Sequence, residues 1–360
     1  MVIPAQIKGL IKQHGHITVA EMMQCAMSAT PYSYYQKQDQ LGKQGDFTTA
    51  PEISQLFGEI IALWVIDRWY QMNCPTKTNL VELGPGQGTL MRDVLKVAKL
   101  VPEFYHSLEI ELIDINPHFV KKQQAILQQF SDTTTLKHLA AVQDIAKIPS
   151  IIIANEFFDS LPIKQYIKSK DLWYEVVVRL DSANEQLKFD QRIITQALQT
   201  NLLQVYYNAV EGAIIEVSAQ SQDIIRFISE HIKRYGGGAL IIDYGYDINP
   251  LIRTHIQYPS TLQAIMKHQY CSVLDNLGTA DLSAHVDFHE LKTVARDIGI
   301  NVQDTITQRD FLIDNGILLR SQLLNNKLPY NEAKVISRQV DRLISADKMG
   351  ILFKVLSLCS

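Results

Sequence analysis

The run Val81-Glu82-Leu83-Gly84-Pro85-Gly86-Gln87-Gly88-Thr89-Leu90 holds the residue types best placed to do chemistry. It reads as an apolar strand, an acid, a Gly-x-Gly-x-Gly turn and the start of a helix. Glycines allow a sharp turn and remove the Cβ atoms that would hold a ligand off the backbone. Glu82 argues against a phosphate there, because a pyrophosphate would meet a negative charge where it needs N–H donors. The dinucleotide fingerprint G-x-G-x-x-G is spaced differently; here the third glycine comes one residue early. A cationic or zwitterionic ligand without phosphate fits better, and S-adenosylmethionine is one. Asp114 ends the next strand-like run, Leu108 to Ile113, where ribose hydroxyls would be held. An ordinary strand–helix turn explains the glycines, but not Glu82, the second strand and Asp114 together.

A second apolar strand, from Ser150, runs directly into Asn155-Glu156-Phe157-Phe158-Asp159. Ligands of open α/β sheets lie beyond the carboxyl ends of the strands. Asn155 is therefore expected at the cofactor, and Glu156 and Asp159 beside the reactive centre. Two acids next to an electrophilic methyl group suit a cationic acceptor; a capped helix start is the plainer alternative. Gly45-Asp46-Phe47-Thr48-Thr49-Ala50-Pro51-Glu52 precedes the cofactor strand and is expected to cover the site. In that segment Asp46 is a further candidate catalytic acid, and Phe47 and Glu52 are candidates to face the substrate. Leu240-Ile241-Ile242-Asp243-Tyr244 is another strand ending in an acid; Asp243, Tyr244 and Phe158 are candidates to line the acceptor side. His285, Asp287 and His289 bring no further ligand cluster with them, and no metal is expected.

Strands at 79–83, 108–114, 150–154, 213–217 and 239–243, separated by helical or loop stretches such as 116–130 and 221–235, predict an α/β fold with a parallel doubly wound sheet. Residues 1–30 read as helical, broken at Gly15 and restarted by Thr18 as N-cap. A helix over 52–72 carries Ile53, Leu56, Phe57, Ile60, Ile61 and Trp64 on one stripe; it suits a core position, or a homodimer face. Residues 164–189 predict an inserted hairpin, 245–290 a loop-and-short-helix lid, and 301–307 with 351–358 an antiparallel edge pair. The expected division is a helical and covering segment, 1–76, and a core, 77–360, with insertions near 164–200 and 245–290.

The 360 residues carry a net charge of −4 and no basic stripe, so duplex nucleic acid is not the expected partner. Four dispersed cysteines without a C-x-x-C pair point away from zinc and disulfides and toward a reducing compartment. Without a signal-peptide core, a transit-type lead or a roughly 20-residue apolar run, the expectation is a cytoplasmic protein with no membrane insertion.

Taken together, these blocks resemble the MidA-like family, related to the mitochondrial complex I assembly methyltransferase. The matching pieces are Gly45 to Glu59, Val81 to Leu90, Ala154 to Pro162, Asp243-Tyr244-Gly245-Tyr246, Thr261-Leu262-Gln263-Ala264 and Gly278 to Phe288, in the family's order. The resemblance implies a class I, Rossmann-like methyltransferase with a seven-stranded, mostly parallel sheet. It also implies symmetric dimethylation of an arginine in a complex I core subunit. By position, Gly84, Gly86 and Gly88 would hold the cofactor backbone and Asp114 its ribose. Two departures stand out: Asn276-Leu277-Gly278 replaces the usual Pro-Gly, and Asp114 stands where relatives usually have Glu. Against this enzyme stands an assembly factor that keeps the pocket without needing catalysis, and more remotely a nucleotide-binding oxidoreductase or a small-molecule methyltransferase.

Overall fold

The computed structural model describes residues 2–28, 33–34, 49–131, 134–249 and 259–360. They fall into two units, one of Met1–Gln40, Asp159–Gln222 and Tyr246–His289, the other of Leu41–Phe158, Asp223–Gly245 and Glu290–Ser360.

The second unit is an α/β sheet built from α1 (Gln55–Gln71), β1 (Thr78–Leu83), α2 (Thr89–Ala98), β2 (Leu108–Ile113), α3 (Pro117–Leu127), β3 (Thr135–Leu139), β4 (Ser150–Asn155), most of α4 (Ala219–Tyr235), β5 (Gly237–Tyr246), β6 (Asn301–Val302), β7 (Ile306–Thr307) and β8 (Phe353–Cys359). The strand order is β6-β8-β5-β4-β1-β2-β3. The five strands from β5 to β3 are parallel. At the other edge β8 lies antiparallel to β5, and β6 and β7 antiparallel to β8. The antiparallel edge pair is present as expected, with its first member split into two short segments. β1 and β4 are buried at every residue, as strands covered on both faces are; β4 carries the apolar run Ile151 to Ala154, whereas β1 buries Thr78, Asn79 and Glu82 along with its aliphatic residues. β3, Thr-Leu-Lys-His-Leu, is partly exposed throughout and contains no apolar run by which to find it.

The predicted helix over 52–72 is two helices. Ser54 takes an extended conformation (φ −153°, ψ 132°), and its hydroxyl accepts from the Leu56 N–H. A short helix, Ala50–Ile53, precedes the break. Leu56, Phe57, Ile60, Ile61, Trp64, Val65 and Trp69 of α1 all belong to the core beneath the sheet, which is why α1 is apolar beyond a single stripe.

In the first unit, Thr18 caps the helix Val19–Met27 through a reciprocal box with Glu21, as its sequence predicts. The insertion after 163 is an antiparallel sheet of its own: Leu172–Leu180 pairs with Ile17–Thr18, Lys164–Ser169 and Leu187–Ile193. Ile214–Val217 pairs with Lys164–Ser169 and so belongs to this sheet, not to the parallel one expected for it. Isoleucine- and valine-rich runs look alike in either setting, and only pairing separates them. Of the expected lid over 245–290, residues 250–258 lie outside the described residues; in the rest, Gln263–Met266 pairs with Gln269–Cys271 and Asp281–Ser283. Glu216 holds this part together, accepting from Gln165 Nε2 at 2.8 Å and from the Thr261 N–H at 2.9 Å. Among the described residues no helix is long and apolar enough to cross a membrane.

Gly237 opens β5 at φ +135°, and a Cβ there would lie 1.9 Å from the Ser150 carbonyl oxygen of β4. That contact leaves no room for any side chain. Gly237→Ala is expected to destabilise the chain by about 3 kcal/mol or more, read as insolubility or a large drop in the denaturation midpoint; an unchanged midpoint would contradict the β4–β5 register.

Candidate cofactor site

The ladder registers place the carboxyl ends of four parallel strands level with one another. Leu83 of β1 is opposite Ile113 of β2 and Ala154 of β4, and Asn155 of β4 is opposite Ile242 of β5. Asp114, Gly84, Asn155 and Asp243 therefore follow in a row across the sheet. The glycine turn rises from this row: Gly84, Gly86 and Gly88 have φ of +62°, +52° and +83°. The Gly84 N–H donates to the Ile113 carbonyl and the Gly88 N–H to the Pro85 carbonyl, closing the turn at the head of α2.

Glu82 is 3% exposed. Burial pushes its carboxyl up to about 8, although the Met91 N–H of α2 donates to it; the neighbouring Asp114 adds to the rise. Its Oε2 is buried without a hydrogen-bond partner among the described residues. Asp114 is pushed up to about 6, again chiefly by burial, against the pull of hydrogen bonds from Asn116, Gln123 and Ile115. Oδ1 accepts from the Asn116 N–H and Oδ2 from Gln123 Nε2, each at 2.8 Å. Asn155 donates to Glu156 Oε1 at 3.3 Å, and its own Oδ1 is buried without a partner among the described residues. The row therefore offers buried acceptors, two of them unsatisfied, beside a bare glycine turn. That arrangement fits a ligand with an ammonium and hydroxyl groups.

Gly88 has a further reason for being glycine, beyond the cofactor role expected of it. A Cβ there would meet Ile126 Cγ2 at 3.0 Å and the Cα of Gln123 at 3.3 Å, so the missing side chain admits α3. Gln123 was not foreseen. It stands with Phe119 and Leu127 on the buried stripe of α3, fully covered, and a polar residue in that stripe is the signal that could have found it.

Glu156 has φ +49°, a region rare for a residue with a side chain. Its Oε1 accepts from the Ala50 N–H at 2.9 Å, which tethers the short helix Ala50–Ile53. Glu52 of that helix accepts from Thr89 Oγ1 at the head of α2, at 2.5 Å. Asp243 is fully buried, and its two oxygens accept from the Phe158 N–H (3.0 Å) and the Tyr244 N–H (2.9 Å). Phe158 is buried and packs edge-on against Phe157 at 5.4 Å between centroids. Tyr244 lies in the core with its ring against Phe353 at 5.5 Å. Asp159 falls in the other unit, nearly buried, its carbonyl accepting from the Ala284 N–H. Asp46 and Phe47 lie outside the described residues. Among the described residues no group of three or more His, Cys, Asp or Glu could hold a metal ion.

A family model described as "Putative S-adenosyl-L-methionine-dependent methyltransferase" matches residues 60–306, more than half of the chain. The chain belongs to this family: it is a methyltransferase, and S-adenosyl-L-methionine is its cofactor. It is 34% identical to the zebrafish (Danio rerio) "Protein arginine methyltransferase NDUFAF7, mitochondrial", over 95% of this chain and 83% of that one. Its identity to the human protein of the same name is 31%, over 97% and 81%. A Burkholderia thailandensis likely methyl transferase, solved bound to S-adenosyl-homocysteine, superposes with a TM-score of 0.84 at 22% identity, covering 100% of this chain and 92% of that one. The expected cytoplasmic location is corrected by these relatives: they are named mitochondrial, which points to the mitochondrion rather than the cytoplasm.

The raised Glu82 carboxyl sets a sign for stability. Folding holds a proton on it up to about pH 8, whereas an exposed glutamate loses it near 4.5. The stabilisation is complete below the unfolded value and is lost as pH rises through the folded one. Without ligand, the wild-type chain should therefore lose up to about 1.4 kcal/mol per pH unit from this group between those values. Glu82→Gln should remove that slope and melt higher than wild type at pH 9. Parallel pH profiles of the two proteins by calorimetry would contradict the buried carboxylate.

Proposed function

We propose that this chain transfers methyl groups to an arginine of a partner protein, a subunit of respiratory complex I (NADH dehydrogenase) during its assembly. The observation that carries the cofactor half of this reading is the row of buried acceptors, Asp114, Glu82 and Asn155, around a glycine turn. In it, Glu82 and Asn155 take the ammonium end and Asp114 the ribose, with Gly84 and Gly86 giving the backbone close approach. Once bound, S-adenosyl-L-methionine supplies an electrophilic methyl group on its sulfonium sulfur. The acceptor half is supported by relatives named protein arginine methyltransferases that align over nearly the whole chain.

An arginine side chain is a poor nucleophile because its charge is delocalised and its pKa lies above about 12. The protein must therefore orient the guanidinium, polarise one nitrogen and take a proton late, as the N–C bond forms. A carboxylate does the first two by paired hydrogen bonds. Glu156 is the residue proposed for that clamp, with Asp159 or Asp46 as the second acid. Its φ of +49° supports the assignment, since strained backbone is held mainly at functional sites. Glu52, Phe47, Phe158, Asp243 and Tyr244 support or border the acceptor side, and the anchoring of the Phe158 amide by Asp243 makes that pair a brace for the turn after β4. Holding the reacting pair in near-attack geometry can supply about 7–11 kcal/mol of the barrier.

Incubation with methyl-labelled S-adenosylmethionine and isolated complex I subunits should place label on arginine, located by mass spectrometry. Glu156→Gln keeps an acceptor for the Ala50 N–H but loses the charge. It should cut the transfer rate by about 100-fold or more while leaving S-adenosylhomocysteine affinity within about threefold. Label on lysine or on no protein, or a fully active Glu156→Gln, would overturn the proposal.

A further inference from the structure

We propose that Gln123 is a positioning residue of the cofactor site, locking the glycine turn and the ribose acid into one arrangement. The inference rests on the reading that S-adenosyl-L-methionine lies across the row of strand ends.

Gln123 is fully buried on α3, the helix that the bare Gly88 allows to approach. Its Nε2 donates to the Gly86 carbonyl and to Asp114 Oδ2, both at 2.8 Å. Both partners are acceptors only, so the amide has one possible orientation and both of its hydrogens are engaged. The bond to Gly86 turns that carbonyl toward α3. A trans peptide then directs the next N–H, that of Gln87, to the opposite side. On Asp114, the donors are the Asn116 N–H, the Ile115 N–H and Gln123. A carboxylate has about four lone-pair sites, so these three fix its plane and leave capacity for a hydroxyl. Gln123 Oε1 is buried without a partner among the described residues. An acceptor left in that state costs stability, and a packing role alone gives no reason to keep it: an apolar side chain would fill the same stripe.

The test uses the full chain and three ligands, S-adenosylhomocysteine and its 2′- and 3′-deoxyribose analogues, titrated by calorimetry. Wild type should bind the parent ligand about 10- to 100-fold tighter than the weaker deoxy analogue, as expected for a hydrogen bond to a charged group. Gln123→Met, of similar length but without donor or acceptor, should weaken the parent ligand by a similar factor and bring that preference down to about threefold or less. Gln123→Asn, too short to span both partners, should do the same and serves if the Met variant fails to fold. The double cycle matters because a purely structural role would weaken all ligands equally; equal weakening, or none, overturns the inference. Wild type that binds no S-adenosylhomocysteine defeats the cofactor-site reading itself, and so does an Asp114→Asn variant with undiminished affinity. An Asp114→Asn that weakens binding while Gln123→Met and Gln123→Asn leave the preference intact defeats only the role of Gln123.

Discussion

A carboxylate held out of water at the end of the central strand is the constraint on which the site depends. Glu82 is buried with one N–H, that of Met91, to share its charge, and Asp114 close by adds a second acid. Such groups are costly to bury ionised unless a cation or a set of donors meets them. The fold supplies neither in full, and Glu82 Oε2 and Asn155 Oδ1 both lack partners among the described residues. A ligand bringing an ammonium and hydroxyls completes the row, whereas a pyrophosphate would add negative charge to it. Without a ligand, burial lifts Glu82 to about 8, which keeps it protonated at neutral pH; an ammonium beside it favours the ionised form and pairs with it.

Much of the core was legible because its strands are buried on both faces and end in acids. β4 and β5 hold short apolar runs, β2 alternates Leu and Ile with Glu109 and Glu111, and Asp114, Asn155 and Glu156 read as strand-end residues, where the ladder registers have them. What the sequence hid was pairing and partnership. Ile214–Val217 has the composition of a core strand yet pairs in the insertion sheet, and β3 is an edge strand too polar to stand out. Asp243 also braces the turn after β4, each of its oxygens accepting from a backbone amide, and the Tyr244 ring packs in the core. Composition does not show such bracing contacts; hydrogen-bond partners do.

The short helix Ala50–Ile53 shows how braces and site share residues. Its first N–H is held by Glu156, and its Glu52 meets Thr89 at the head of α2. The turn after β4 and the turn after β1 are therefore joined through one helix of four residues. Gln123 makes a comparable bridge on the other side, between the glycine turn and Asp114. The sequence reading set Glu156 beside the reactive centre and Glu52 on the substrate side, but it revealed neither of these bridges.

The most direct measurement is a calorimetric titration of the purified chain with S-adenosylhomocysteine and with NAD, repeated with Gly86→Val. The acceptor row predicts saturable binding of the first, none of the second, and loss of binding in a variant that remains folded. Binding of NAD as tight as that of S-adenosylhomocysteine would contradict the account, because it would require phosphates to settle against Glu82.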